Sequence, residues 1–286
     1  MASVWHGAKA RKIPEIPEEP TLELIEQDDR YMDKIADRNM LPFAYIREDA
    51  SICSFDLRHN YCSVILGRKR TGKTNVLKLL IHAAMLKKGE IIVVEKPEGY
   101  GELKAICDEA GGRYVDSTKA LYQYLSELLP EFSRRNKMKR AMLQKGMDEL
   151  SIAEEMMKEK QIFIFIADIK AFMEMVYHHE MDIGNMSGFF ENITEKGSLH
   201  NIYMFAAENQ DDHSILMSYK AYNNFINARK GVYTGGSLST QKIFNFQNIP
   251  YTELSRNLKK GTGYISDDYE EGSGIQIVIP LVRMKV

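Results

Sequence analysis

Eight consecutive residues carry the most specific chemistry in this 286-residue sequence: Gly67, Arg68, Lys69, Arg70, Thr71, Gly72, Lys73 and Thr74. They follow the pattern G-x-x-x-x-G-K-T. Glycines at these places let successive backbone N–H groups curl toward an oxyanion. A helix that starts there aims the positive end of its dipole at the same point. Lys73 would reach the β- and γ-phosphate oxygens of a nucleotide, acting in catalysis as well as in binding, and the Thr74 hydroxyl would join the coordination of Mg²⁺. All eight residues are therefore expected to line a site for the phosphates of ATP.

Such a site needs a carboxylate from the end of a neighbouring strand to hold the water shell of the metal. The run Ile162-Phe163-Ile164-Phe165-Ile166-Ala167-Asp168 supplies one, and Asp168 is expected to hold Mg²⁺ through water. The elements that must position these groups are legible around them. Residues 63–66 read as a short strand delivering the chain to Gly67. Val76, Leu77, Leu79, Leu80, Ile81, Ala84 and Leu86 then read as a helix that is apolar over much of its surface. Residues 91–94, 162–167 and 202–207 read as further buried strands, and residues 231–234 as a fifth. Between them, Leu121, Tyr124, Leu125, Leu128, Leu129 and Phe132 recur at helical spacing, in a segment that Pro130 should kink or break. A charged helical stretch continues to about Lys160.

Strands alternating with helices imply an α/β fold, a P-loop domain with a central, mostly parallel sheet flanked by helices. Residues 43–46 and 52–55 look like short strands, and residues 21–38 contain a short helix. Pro14, Pro17 and Pro20 make residues 1–20 an extended linker. The expected division is residues 1–38 as linker and lead-in, and residues 39–286 as the ATPase domain.

Composition narrows the function classes. Hydrophobic residues at 44% and charged residues at 27% suit a soluble domain with a substantial core. No apolar run approaches the roughly 18 residues of a membrane span, and the N-terminal residues lack the apolar stretch of a secretory signal. Cys53, Cys62 and Cys107 are scattered, which argues against a disulfide framework or a zinc site and fits a reducing compartment. A net charge of −2 gives the whole molecule no electrostatic reason to coat nucleic acid.

Three other clusters have simpler readings. Residues 133–140, SRRNKMKR, hold five cations that could meet DNA phosphates. A solvated helix face, offset by Glu149, Glu154 and Glu155, accounts for them as well. His178-His179-Glu180 suggests metal, yet adjacent histidines on a helix diverge by about 100°, so a polar helix end is expected. Met138, Met142, Met147, Met156, Met157, Met173, Met175, Met181 and Met186 crowd the middle of the chain. Methionine is an adaptable core filler, and Met-rich surfaces also receive amphipathic helices.

The later runs carry a family resemblance. Phe132-Ser133-Arg134-Arg135, GSLHNIYMFAAENQ, GGSLSTQKIF (residues 235–244) and GTGYI (residues 261–265) resemble FtsK/SpoIIIE-type motor ATPases. Within that family they are similar to the third ATPase domain of type VII secretion motors, as is the proline-rich KIPEIPEEPTL. The resemblance implies a RecA-like fold, ATP with Mg²⁺, and upstream ATPase domains on the same polypeptide. It also implies a homo-hexamer, a place on the cytoplasmic side of a membrane anchored by a preceding part, and small helical secreted proteins as partners. Nucleic acid is not expected, and an FtsK-like DNA translocase is the alternative. By the same resemblance Asn209 stands at the sensor position, where Gln is common, and Gln241 where translocases carry a second Arg. Ile169 stands where the family has the glutamate that polarises the attacking water, so hydrolysis is expected to be weak or absent. Glu208 or Asp211 could substitute as the base, and Ile169→Glu is the direct attempt to restore one.

Overall fold

Two short helices, α1 (Leu22–Glu26) and α2 (Asp29–Ala36), precede a hairpin of β1 (Met40–Ile46) and β2 (Ile52–Asp56). A computed structural model describes residues 15–96, 101–178, 185–246, 249–266 and 274–283. Asp28 caps α2 by accepting the Arg30 N–H at 3.0 Å, so the lead-in breaks into two helices where one was expected. Their apolar faces (Leu22, Ile25, Tyr31, Ile35) are buried in the same core as the hairpin.

The phosphate-loop unit follows as β3 (Cys62–Gly67) and α3 (Lys73–Leu86). Next come β4 (Glu90–Val94), α4 (Lys104–Glu109), β5 (Arg113–Val115), α5 (Thr118–Gln144) and α6 (Glu149–Met156). The second half holds β6 (Ile162–Ile166), α7 (Ile169–Tyr177), α8 (Met186–Lys196), β7 (Ile202–Asn209), α9 (His213–Leu216) and α10 (Lys220–Ile226). The chain closes with β8 (Gly231–Tyr233), α11 (Tyr251–Leu254), β9 (Thr262–Ser266) and β10 (Gly274–Val278).

All ten strands form one sheet in the order β2-β1-β10-β9-β8-β3-β7-β6-β4-β5. From β8 to β5 every pair is parallel, and from β8 to β2 every pair is antiparallel. The parallel half matches the expectation. The antiparallel extension of β9 and β10 is not legible in the sequence, because these strands are five residues each and glycine or polar residues interrupt their apolar ones.

Alternation along the strands sorts the core into two layers. Ile162, Ile164 and Ile166 face the side covered by α5, α7, α8 and α10. Phe163 and Phe165 face the side covered by α3, where they stack on Tyr203 and Phe205 with centroids 5.3 and 5.7 Å apart. Such pairs add roughly 1 kcal/mol each beyond area burial.

Pro130 does not break its helix: α5 runs unbroken through it for 27 residues. The apolar face of Leu121, Tyr124, Leu125, Leu128 and Phe132 packs on the sheet on both sides of the proline. That packing outweighs the roughly 3 kcal/mol that an internal proline costs.

The methionines largely behave as core filler. Met156, Met173, Met175 and Met186 are buried, and Met138, Met142, Met147 and Met157 are half-buried. Met181 lies outside the described residues, as do Pro14, His179 and Glu180.

One buried histidine makes stability depend on pH. His200 stacks on Phe132 at 4.8 Å and donates from Nδ1 to Ser198 O at 2.9 Å, while its Nε2 is buried with no partner. Burial, with Lys139 nearby, pushes its pKa down to about 4. Below an ordinary value near 6.5 the unfolded chain takes up a proton that the folded chain refuses, so stability falls as pH drops from about 6.5 toward 4. At pH 5 this should amount to about 2 kcal/mol. Urea unfolding at pH 7 and pH 5 is expected to show that extra loss in the native protein and not in His200→Phe.

Candidate functional site

The sequence places Gly67 at the last position of β3, where a side chain would collide with its surroundings. A Cβ there would lie 2.5 Å from both Thr71 Oγ1 and Thr234 Oγ1. The loop turns through two left-handed residues, Arg70 (φ 64) and Gly72 (φ 95), before α3 starts at Lys73. Gly72 suits that conformation because it lacks a Cβ. No side chain caps α3, so its first amides are left to an external acceptor. Lys73 folds back over the loop, its Nζ donating to Gly67 O at 3.1 Å and Arg68 O at 2.7 Å. Arg68, Lys69 and Arg70 are exposed at the rim, and Thr74 is half-buried at the helix start.

Carboxylates surround the lysine. Burial pushes the Lys73 ammonium below its usual pKa, and the fields of Asp168, Asp211, Asp212 and Glu208, in that order, oppose the shift. Asp168 follows β6 and caps α7, its Oδ1 accepting the Lys170 and Ala171 N–H groups at 2.9 and 3.2 Å. Lys170 in turn pairs with Asp212 at 3.0 Å, which ties the end of β6 to the segment after β7.

Asn209 sits directly across from Gly67 in the β3–β7 pairing, and its Oδ1 is buried with no hydrogen-bond partner. Such an atom costs roughly 1–3 kcal/mol unless something meets it. Glu208 is different. It is 1% exposed, both its oxygens accept from Tyr222 Oη at 2.9 Å, and His213 Nδ1 lies 3.6 Å from Oε1. Burial raises its pKa. This carboxylate is bound into the protein, whereas Asp211 is exposed at the rim.

Ile169, adjacent to Asp168, does not line the site. It is 0% exposed and belongs to the core with Phe172 and Met173. Gln241 is likewise engaged locally, accepting from the Ile243 and Phe244 N–H groups at 3.0 and 2.7 Å.

Several solved structures share this arrangement of elements. The cytoplasmic domain of EssC superposes with a TM-score of 0.75 over 95% of this chain and 49% of that one, at 16% identity. Thermomonospora curvata EccC (ATPases 2 and 3), solved in complex with a signal sequence peptide, gives 0.68 over 98% and 46%, at 13% identity. This chain has the fold of the EssC and EccC ATPase domains. It spans about half the length of those structures. The conjugation coupling protein TcpA of pCW3, in its monomer form with ATPγS, gives 0.63 over 94% and 71%, at 13% identity. No family model matches the sequence, and no curated protein does.

The site thus brings together residues 67–74, Asp168 and Asn209 from the ends of three neighbouring strands, with β7 between β3 and β6. Sequence reading missed Lys170, whose ion pair with Asp212 becomes visible only once the start of α7 meets the turn after β7. The basic run is a solvated face at Arg134, Lys137 and Arg140, which are exposed, and departs from that expectation at Arg135 and Lys139. Arg134 pairs with Glu131 and Glu159, Arg135 is buried, and Lys139 donates to Lys196 O and Ser198 O at 3.2 and 2.8 Å. His178 is bonded to Tyr219 Oη at 3.1 Å, and no metal-binding group of His, Cys, Asp and Glu occurs among the described residues. Among those residues, too, no helix is long and apolar enough to cross a membrane. Away from the phosphate loop, a groove of about 1170 Å³ opens over the antiparallel half, lined by Ile46, Ile249, Pro250, Tyr264 and Ile275 among others.

Proposed function

We propose that this chain is an ATP-binding domain of a type VII secretion motor, with weak or no hydrolysis of its own. The observation that carries the reading is the complete loop of residues 67–74 at the β3–α3 junction, with Lys73 in the field of four carboxylates. The donor set fits a nucleotide and its metal: an uncapped α3, a lysine poised over the loop, the Thr74 hydroxyl, and Asp168 with Oδ1 spent on capping and Oδ2 left for a metal-bound water. Magnesium is typically held by one or two protein oxygens and the substrate phosphates, so no all-protein cage is required. When bound, Mg²⁺ would neutralise charge between the β- and γ-phosphates.

The chain's own groups would act as follows. The N–H groups at the start of α3 would donate to the phosphate oxygens, Lys73 would swing from the loop carbonyls to the outer oxygens, and Asn209 would offer its amide beside Gly67. The position of the family's glutamate offers no base, because Ile169 is in the core; of the two other candidates Glu208 is bound to Tyr222, and Asp211 is exposed at the rim. Loss of a general base typically costs about 10²–10⁴ in rate, which supports nucleotide binding as the main use of the site.

EccC is described in complex with a signal sequence peptide, and TcpA with ATPγS. By that likeness a helical segment of a small secreted partner is the expected cargo, and the groove over β9 and β10, with Ile46, Ile249, Tyr264 and Ile275 in its lining, is the face we propose for it. The domain would work beside other ATPase domains of one polypeptide, on the cytoplasmic side of a membrane, in a ring of six. Dissociation constants in the micromolar range suit a segment that orders on binding.

Calorimetry tests the core of this reading. The native chain is expected to bind Mg·ATP, and Lys73→Ala to weaken binding about 10- to 100-fold, the equivalent of one charge-assisted contact. No binding by the native chain at millimolar ATP would refute it.

A further inference from the structure

The phosphate loop has a second point of attachment that its sequence pattern does not contain. Thr234, the residue after β8, is 2% exposed, and its N–H donates to Leu66 O at 2.9 Å. Its hydroxyl lies 3.0 Å from the Thr71 hydroxyl in the loop. Two glycines make room for this contact. A Cβ on Gly67 would approach both hydroxyl oxygens at 2.5 Å, and one on Gly235 would come 2.5 Å from Thr71 Cβ and Cγ2.

Proton counting gives the pair a direction, because each hydroxyl has a single proton to donate. That of Thr71 goes to Arg68 O at 2.9 Å. That of Thr234 has Thr71 Oγ1 at 3.0 Å and Leu66 O at 3.3 Å, and Leu66 O is already served by the Thr234 N–H. The bonds therefore run from Thr234 to Thr71 to Arg68 O, which also accepts Lys73 Nζ at 2.7 Å. Between these anchors Arg70 is held at φ 64, a conformation that a residue with a Cβ keeps only when its surroundings enforce it.

We propose that Thr234 is a positioning residue for the phosphate-binding loop: from the end of β8 it holds Thr71, and through the Arg68 carbonyl it sets the resting place of the Lys73 ammonium. The inference rests on the ATP-binding reading for its effect on affinity, but not for its effect on the loop itself. The segment that follows Thr234 is tied in turn to residues 254–258. Ser237 Oγ donates to Leu254 O at 2.7 Å, and Gly236 O accepts the Leu258 N–H at 3.1 Å.

The test compares Thr234→Val, Thr234→Ser, Thr71→Val and the double valine variant in the full chain. Mg·ATP affinity is read by calorimetry, and amide hydrogen exchange of residues 68–73 is read without nucleotide. Thr234→Val is expected to weaken Mg·ATP about 3- to 10-fold, the range of one net hydrogen bond, and to speed exchange in the loop. Thr234→Ser should retain native values for both. The double variant should be no worse than Thr71→Val alone, which already removes both the Thr234–Thr71 bond and the Thr71 bond to Arg68 O. Native affinity and native exchange in Thr234→Val, or a serine variant as impaired as the valine one, would overturn the proposal. Should Thr234→Val fail to fold, Thr71→Val reads the same bond from the half-buried side, and native behaviour there overturns it equally. If the native chain binds no Mg·ATP, the proposed function falls, and exchange in the nucleotide-free variants still decides the role of Thr234.

Discussion

Arg135→Ala is expected to destabilise the domain by about 3–5 kcal/mol, the cost of breaking a buried, hydrogen-bonded charge from one side. Arg135 is 1% exposed and lies one turn above Glu131 on α5. Its Nε donates to Glu131 at 2.7 Å, Nη1 to His200 O and Asn201 O at 2.7 and 3.2 Å, and Nη2 to Lys160 O at 3.0 Å. Those carbonyls belong to the turns that start β7 and β6, the strands that carry Asn209 and Asp168 at their far ends. Alanine would strand the Lys160 and His200 carbonyls in the interior and leave Glu131 with Arg134 alone. Lysine would not repair the site, because an ammonium cannot reproduce a planar fork spanning two turns. A urea denaturation series should show both variants with lowered midpoints, alanine the lower. A stability within about 0.5 kcal/mol of native, the range of an ordinary surface change, would mean that the carbonyls find other partners.

The same residue shows where sequence reading stops. SRRNKMKR reads as a charge run, and charge runs are normally solvated. Which cation turns inward depends on the helical phase of α5 relative to the strands, and that phase is set by Leu128 and Phe132 packing on the sheet. The phosphate loop was legible because its chemistry is local: eight contiguous residues supply the turn, the helix start and the lysine. Its neighbours were legible to the degree that they ended apolar strands. Asp168 could be named from the end of an apolar strand and Asn209 from the family resemblance, and the fold places them just after β6 and at the end of β7, with β7 next to β3. The Thr71–Thr234 contact spans 163 positions, and nothing in either local sequence marks it. The break that Pro130 allows does not occur, for a related reason: local propensity argues for it, and burial of a long apolar face overrides it. The strands β9 and β10 left little trace because each is only five residues long and Gly263, Ser266, Gly274 and Gln276 interrupt the apolar residues.

Ile169→Glu should fail as a repair of hydrolysis. From sequence, the position after Asp168 looks like an empty socket for the missing base. In the fold it is the first residue of α7, 0% exposed and packed with Ile166, Phe172 and Met173 under the helix. The Asp168 carboxylate spends Oδ1 on capping that first turn, which points the next side chain into the core. A glutamate there would have to bury its charge, or take up a proton to avoid it. Either way it could not polarise a water at neutral pH. The expected cost is about 3–5 kcal/mol, from a buried ionisable group together with lost packing. Ile169→Leu, which keeps volume and polarity, should cost about 1 kcal/mol. The two effects separate cleanly in experiment: phosphate release at saturating Mg·ATP should not rise in Ile169→Glu, while its urea midpoint falls well below that of Ile169→Leu. A gain in turnover from Ile169→Glu, abolished again by Lys73→Ala, would show that α7 can rotate this position toward the phosphate loop.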